Sequence, residues 1–275
     1  MRTRVLLFAD LDGTFLEPRT YSFETSRQIL PRLRAAGIPL IFSTSKTRAE
    51  VEPIREALSI RAPFLVENGG AVFIPRGTFP FEPPNAERRG AYDVIPYGAS
   101  YGSLVAHLDE IEAETGVPLV CFHRMTVAEI AAETGLALTA AGHAKMREFD
   151  APFRLSDPDL PGRANVEESI RAKGLSCTPG ARFLHLHMGC DKGAAARALA
   201  DVYRKADGTV RTVGIGDSAA DLPLLESMDA PAVVRAQDGA VDPELAARLP
   251  HALRAKGMGP SGFVEIVKQL LAGRL

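Results

Sequence analysis

Near the N-terminus, Val5-Leu6-Leu7-Phe8-Ala9 runs without interruption into Asp10-Leu11-Asp12-Gly13-Thr14. A short apolar run of this kind reads as a strand buried on both faces, the setting of a parallel sheet covered by helices. The side-chain period of two places Asp10 and Asp12 on one side if the chain stays extended. Adjacent carboxylates at a strand end repel each other and call for a cation, most economically a metal ion. A strand followed by an Asp-Gly turn would leave the same letters with no chemistry attached. The ends of the other strands must therefore decide between the two.

The segments that follow alternate. Ser22 caps an expected helix to about residue 36, with Ile29, Leu30 and Leu33 as its apolar stripe and Gly37 as its stop. Pro39-Leu40-Ile41-Phe42 reads as a second buried strand. Thr47 and Glu50 then form a capping-box signature for a helix to about residue 58. Phe64-Leu65-Val66 reads as a third strand, and residues 72–75 as a short hairpin partner turned by Gly69-Gly70. This β-α-β-α-β order implies a parallel sheet with right-handed crossovers.

From 79 to 89 the prolines Pro80, Pro83 and Pro84 make a linker, and the pattern changes. Helices are expected over 101–115, 126–134, 138–147 and 165–173. Strands are expected over 92–95, 119–122, 149–155, 176–178 and 183–187. Alternation resumes after Gly189, with helices over 192–203, 222–227 and 262–271 and strands over 210–215 and 232–234. The expected architecture is α/β: a doubly wound, Rossmann-like parallel-sheet core (1–85 and 189–275) interrupted by an α+β cap (86–188).

At 275 residues the chain can bury a substantial core, and a net charge of −2 gives no footprint for nucleic acid or membrane. No apolar run approaches the roughly 20 residues of a bilayer span, and the apolar run before Asp10 is too short for a secretory leader. Cys121, Cys177 and Cys190 are odd in number and widely spaced, which fits reduced thiols in a cytoplasmic protein. No C-x-x-C pair offers a zinc site.

In open parallel sheets ligands sit beyond the carboxyl ends of the strands. Here those ends carry Asp10 and Asp12, then Ser43 and Thr44, then Glu67 and Asn68, then Gly216-Asp217-Ser218. Lys192 opens the helix before the last of these strands, where its ammonium and the helix N-terminus can both face an anion. This ordered set resembles the haloacid dehalogenase-like superfamily of phosphohydrolases. The matching motifs are Asp10-Leu11-Asp12-Gly13-Thr14, Thr44, Asp191-Lys192-Gly193, and Gly216-Asp217-Ser218 followed by Asp221. A cap between the Thr44 and Lys192 motifs is similar to that of the type IIB, Cof-like branch. Narrower strings are similar to the mannosyl-3-phosphoglycerate phosphatases: Ser43-Thr44-Ser45-Lys46-Thr47-Arg48, Pro63 to Pro75, Arg147-Glu148-Phe149-Asp150 and Arg182-Phe183-Leu184-His185. Ala220 departs from the superfamily, which usually carries Asn there, and Ala151 from the narrower set, which commonly carries an acid.

The resemblance implies a Mg²⁺-dependent phosphatase acting on a small sugar phosphate. It implies Asp10 as nucleophile, Asp12 as the acid and base serving the leaving oxygen and the water, and Thr44 and Lys192 as phosphoryl contacts. Mg²⁺ would be held by Asp10, Asp217 and a backbone oxygen of Asp12, with Asp221 completing or orienting the set. The chemistry agrees, since a carboxylate attacking a phosphate dianion needs that repulsion neutralised. Expected substrate contacts are Lys46, Asn68, Arg147, Arg182, His185 and Ser218, with the two arginines suited to clamping a carboxylate. His187 is expected to be structural. The implied reaction converts mannosyl-3-phosphoglycerate to mannosylglycerate, a compatible solute. Glucosyl-3-phosphoglycerate or another sugar phosphate is the alternative substrate, and phosphomutase the alternative reaction.

Overall fold

The computed structural model describes residues 3–157, 162–180 and 182–275. In chain order, β1 (Arg4–Ala9) leads to α1 (Glu24–Arg27), α2 (Leu30–Ala35), β2 (Leu40–Phe42), α3 (Arg48–Ala57), β3 (Phe64–Val66) and β4 (Ala71–Pro75). Next come β5 (Glu87–Arg89), β6 (Tyr92–Pro96), α4 (Tyr101–Thr115), β7 (Leu119–Cys121), α5 (Val127–Thr134) and α6 (Leu138–Ala144). They are followed by β8 (Ala151–Leu155), α7 (Arg163–Ala172), β9 (Ser176–Pro179) and β10 (Leu184–His187). The chain returns through α8 (Lys192–Asp207), β11 (Val210–Gly216), α9 (Leu222–Glu226), β12 (Ala230–Arg235), α10 (Pro243–Arg248), β13 (Leu253–Met258) and α11 (Gly259–Leu271).

The central sheet is parallel throughout, in the order β13-β12-β11-β1-β2. β1 is buried on both sides, as its unbroken apolar run requires. Leu7 and Ala9 pack with Leu30, Leu33, Phe263 and Ile266 on one face. Leu6 and Phe8 pack with Ala195, Ala196 and Leu199 of α8 on the other. Strands β7-β8-β10-β9 form a separate antiparallel sheet, covered by Leu104, Leu108 and Ile111 of α4 and Val166 and Ile170 of α7. No helix among the described residues is long and apolar enough to cross a membrane.

Three local expectations are corrected. The helix expected from Ser22 to about 36 is two short helices, because Pro31 lacks the N–H that would bond back across the joint. Phe23, not Ser22, holds the N-cap position of α1, and it makes no side-chain cap bond. β3 meets the central sheet only at one bridge, Ser43 to Leu65, and otherwise pairs antiparallel with β4. It belongs to a third sheet, β3-β4-β6-β5. Residues 87–96, expected beyond the cap boundary, thus extend the β3–β4 hairpin. Val94 and Tyr92 pack there against Phe64 and Phe73. Finally, α10 and β13 were not expected. In β13, Ala255 is buried between exposed Arg254 and Lys256, the pattern of a sheet edge, at a position only pairing with β12 reveals.

Phe15 follows the Asp10–Thr14 turn and is fully buried, with its ring edge-on to Phe42 (5.0 Å between centroids) and Phe263 (5.1 Å). Phe15→Ala is expected to destabilise the fold by about 3–5 kcal/mol, read from urea unfolding midpoints at unchanged slope.

Candidate active site

Because β1 and β11 pair in parallel, with Ala9 opposite Ile215, their next residues leave the sheet at the same edge. The Asp10 N–H donates to Ile215 O (3.0 Å). Asp10, Asp217 and Asp221 each bring a carboxylate oxygen within 4.8 Å of the others. The loops that deliver them leave no room for side chains on their glycines. A Cβ on Gly13 would lie 2.5 Å from Asp217 Oδ2, and Gly13 is also at φ +79°, so glycine is required twice over.

Each acid is held. Thr14 Oγ1 donates to Asp217 Oδ1 (2.9 Å), and Asp221 Oδ2 accepts from the Asp217 (3.1 Å) and Ser218 (3.4 Å) N–H groups. Lys192 Nζ lies 2.8 Å from Asp10 Oδ1 and 2.7 Å from Asp221 Oδ1, only 4% exposed at the start of α8. Burial raises the Asp10 pKa far above the usual carboxylate range; repulsion from Asp221 adds to this, and Lys192 opposes it. Asp217 is pushed up to about 7 by burial and Asp221, against the Thr14 bond and Lys192. One ammonium, paired with buried Asp10 and Asp221, thus serves a cluster of three carboxylates, the third being half-buried Asp217. Excess negative charge on clustered hard oxygen donors fits a divalent cation such as Mg²⁺.

Asp12 behaves differently from the expectation. Leu11 O accepts from the Thr14, Phe15 and Leu16 N–H groups, so the chain curls immediately after Asp10 and does not stay extended. The Asp12 carboxylate is outside the trio; its Oδ2 pairs with Lys46 Nζ (2.9 Å), and its buried Oδ1 has no protein partner. Lys46 also approaches Glu50 (3.6 Å) and lies over the Tyr21 ring. The Thr47–Glu50 capping box is formed as expected. Thr44 is buried, its Oγ1 accepting from the Lys46 N–H (3.2 Å), while its neighbour Ser45 lines the cleft.

A cleft of about 630 Å³ is lined by Asp10, Asp12, Asn68, Lys192 and Ser218, with Thr178 to Gly180 above them. A pocket of about 170 Å³ adjoins it, sharing Asp12, Ser45 and Gly180, and is lined by Tyr21, Lys46, Arg147, Arg182, Phe183 and His185. All six expected substrate contacts thus line one or other of these spaces. Arg147 is not free to clamp a carboxylate with its whole fork. Its Nη1 donates to Ser45 O (2.7 Å) and Asp150 Oδ1 (2.9 Å), and its Nε to Ala144 O (2.9 Å). Arg182 bonds Glu133 O and remains exposed. His187 bonds Thr178 (2.9 Å) and lines neither space, in keeping with a structural role.

Two buried acids that stand in the sequence motifs have partners that the motifs do not reveal. Asp150 accepts from Arg147, from His185 Nδ1 (2.9 Å) and from Asn68 Nδ2 (3.4 Å), and so ties together three cleft-lining side chains. Glu67 accepts the N–H groups of Glu148 (3.1 Å), Phe149 (2.8 Å) and Asp150 (2.9 Å) across 81 to 83 residues of chain. It does so from left-handed backbone, φ +49° at Glu67 and +57° at Asn68. Contacts of such range leave no local periodicity to read.

The family model for haloacid dehalogenase-like hydrolases matches residues 7–79. The glucosyl-3-phosphoglycerate/mannosyl-3-phosphoglycerate phosphatase of Methanococcoides burtonii is 40% identical over 266 residues, 97% of each chain. The mannosyl-3-phosphoglycerate phosphatase of Pyrococcus furiosus is 37% identical, covering 82% of this chain and 88% of its own. Among solved structures, a haloalkanoate-superfamily phosphatase from Bacteroides thetaiotaomicron superposes with a TM-score of 0.69 at 18% identity, over 99% of this chain and 96% of that one. The sucrose-phosphatase of Synechocystis gives 0.61 at 13% identity, over 98% of both chains.

Burial, reinforced by Asp150, pushes Glu67 up to about 8 against the pull of Arg147 and two backbone N–H groups. The folded state therefore keeps a proton that the unfolded chain releases, and this contribution to stability is lost as pH rises from about 4.5 through about 8. Glu67→Gln is expected to flatten that decline. Urea unfolding at pH 5 and pH 9 checks it, the penalty of the variant being smaller at pH 9.

Proposed function

The chain belongs to the haloacid dehalogenase-like hydrolases, and from that premise we propose that it hydrolyses glycosyl-3-phosphoglycerates, with mannosyl-3-phosphoglycerate as the leading substrate and the glucosyl compound as the alternative. The observation that carries the reading is the convergence of Asp10, Lys192, Asp217 and Asp221 at one sheet edge beneath a cleft. The relatives named above act, by their names, on these two phosphoglycerates.

Asp10 attacks phosphorus: a bond from its carboxylate oxygen to phosphorus forms while the bond to the glycerate oxygen breaks. Asp12 gives that oxygen a proton. The unpartnered Asp12 Oδ1 is the atom we assign to this traffic, since Oδ2 is held by Lys46. Asp12 then takes a proton from water as the water attacks the aspartyl-phosphate, releasing phosphate and restoring Asp10. Lys192 offsets phosphoryl charge throughout, and its two carboxylate partners keep it protonated despite burial. Mg²⁺, held by Asp10, Asp217, a backbone oxygen of Asp12 and the support of Asp221, would supply further charge compensation. Lys46, Arg182 and the Nη2 of Arg147 are the cationic groups offered to the glycerate carboxylate, the rest of the Arg147 fork being held by protein oxygens. In this reading the residues from α4 to β10 act as the cap that closes over the leaving group.

Asp10→Asn is expected to lower turnover by about 10⁴-fold or more with an unchanged circular dichroism spectrum; retained activity would remove the assigned nucleophile. In a panel of sugar phosphates assayed with Mg²⁺, the two glycosyl-3-phosphoglycerates should be preferred, and equal rates across the panel would refute the substrate. Mg²⁺ at 100 times its dissociation constant should stabilise the metal-stripped protein by about 2.7 kcal/mol. Asp217→Asn should abolish that thermal shift.

A further inference from the structure

Tyr21 belongs to none of the motifs that carry the chemistry, yet it sits in the pocket beside them. Its backbone is left-handed, φ +55°, a conformation a bulky aromatic residue rarely adopts. The loop imposes it: the Tyr21 N–H donates to Glu17 O (2.8 Å), and the Glu17 N–H to Ser22 O (2.9 Å). Strain of this kind persists where the surroundings over-determine it, and it gathers at ligand sites. The residue is also 39% exposed, one of the few large hydrophobic residues so placed among the described residues. Lys46 Nζ stands 4.6 Å from the ring centroid and is itself fixed by Asp12 and Glu50. The ring therefore has a charged support and an open remainder, in a pocket whose other apolar walls include Phe122, Leu136 and Phe183.

An exposed, rigidly held ring presents contact area at little entropic cost, and its hydroxyl adds a polar tip. A pyranose offers the complement, an apolar face of C–H groups edged by hydroxyls. We propose that Tyr21 is a specificity-determining residue whose ring receives the sugar face of the leaving group, in the pocket that adjoins the phosphoryl cleft. This rests on the substrate class proposed above. It assigns the sugar to the pocket's Tyr21 wall, leaving Lys46 beneath the ring for the acid function.

The test compares a glycosyl-3-phosphoglycerate with 3-phosphoglycerate, which carries the same phosphoryl and carboxylate groups and no sugar. Tyr21→Asn removes the ring and places there a residue that tolerates left-handed backbone; Tyr21→Phe keeps the ring. In Tyr21→Asn the ratio of kcat/KM for the two substrates should fall about tenfold, through KM for the glycosylated one, with Tm at or above the wild-type value. Tyr21→Phe should keep the ratio to within about threefold. A ratio that holds in Tyr21→Asn, or that falls only together with Tm, overturns the proposal. A wild-type enzyme with no preference for the glycosylated substrate overturns the substrate class as well, and so separates the two failures.

Discussion

The contact on which the site depends is the one between Lys192 and its two carboxylates, Asp10 and Asp221. Three acids at the end of a buried sheet repel each other, and taking such charges out of water costs several kcal/mol apiece. One ammonium, brought from the start of α8, offsets only part of that cost. The remainder is what makes the cluster a place for a divalent cation and then for a phosphoryl group. The same imbalance explains why burial raises Asp10 and Asp217 while Lys192 stays charged.

Around this cluster the backbone is unusually constrained. Gly13 is needed because Asp217 lies where a Cβ would be, and Gly216 for the same reason beside Asp221. The curl after Asp10 carries the Asp12 side chain out of the trio and into the hands of Lys46. Two acids one residue apart thus acquire different surroundings, one beside Lys192 and its fellow acids, the other with a single cation and a free oxygen. That division is what a nucleophile and a proton carrier require.

The second seam is polar as well. Glu67 gathers three N–H groups from the segment before β8, and Asp150 in that segment holds Arg147, His185 and Asn68. A buried carboxylate here does the work that strand pairing does elsewhere, because Glu67 and Asn68 turn away from the sheet ladder in left-handed backbone. Side chains from two distant parts of the chain are thereby set toward one pocket. Arg147 illustrates the cost to simple expectation: it lies at the predicted place, but its Nε and Nη1 are held by protein oxygens.

Much of this was legible before any coordinates. The apolar run before Asp10, the capping box at Thr47, the helix opened by Lys192 and the Gly-Asp after Val213-Gly214-Ile215 are local signals, and local signals follow from period and cap chemistry. They determined the α/β class, the parallel sheet and the acids at its edge. Tertiary structure alone decided which strands share a sheet: the β3–β4 hairpin, itself a local signal, touches the central sheet at one bridge and is instead extended antiparallel by β6 on β4. It alone decided that Asp12 faces Lys46, and that Glu67, Asp150 and Tyr21 line or brace the pocket. These depend on which side chains meet across tens to hundreds of residues, and neither period nor propensity encodes that.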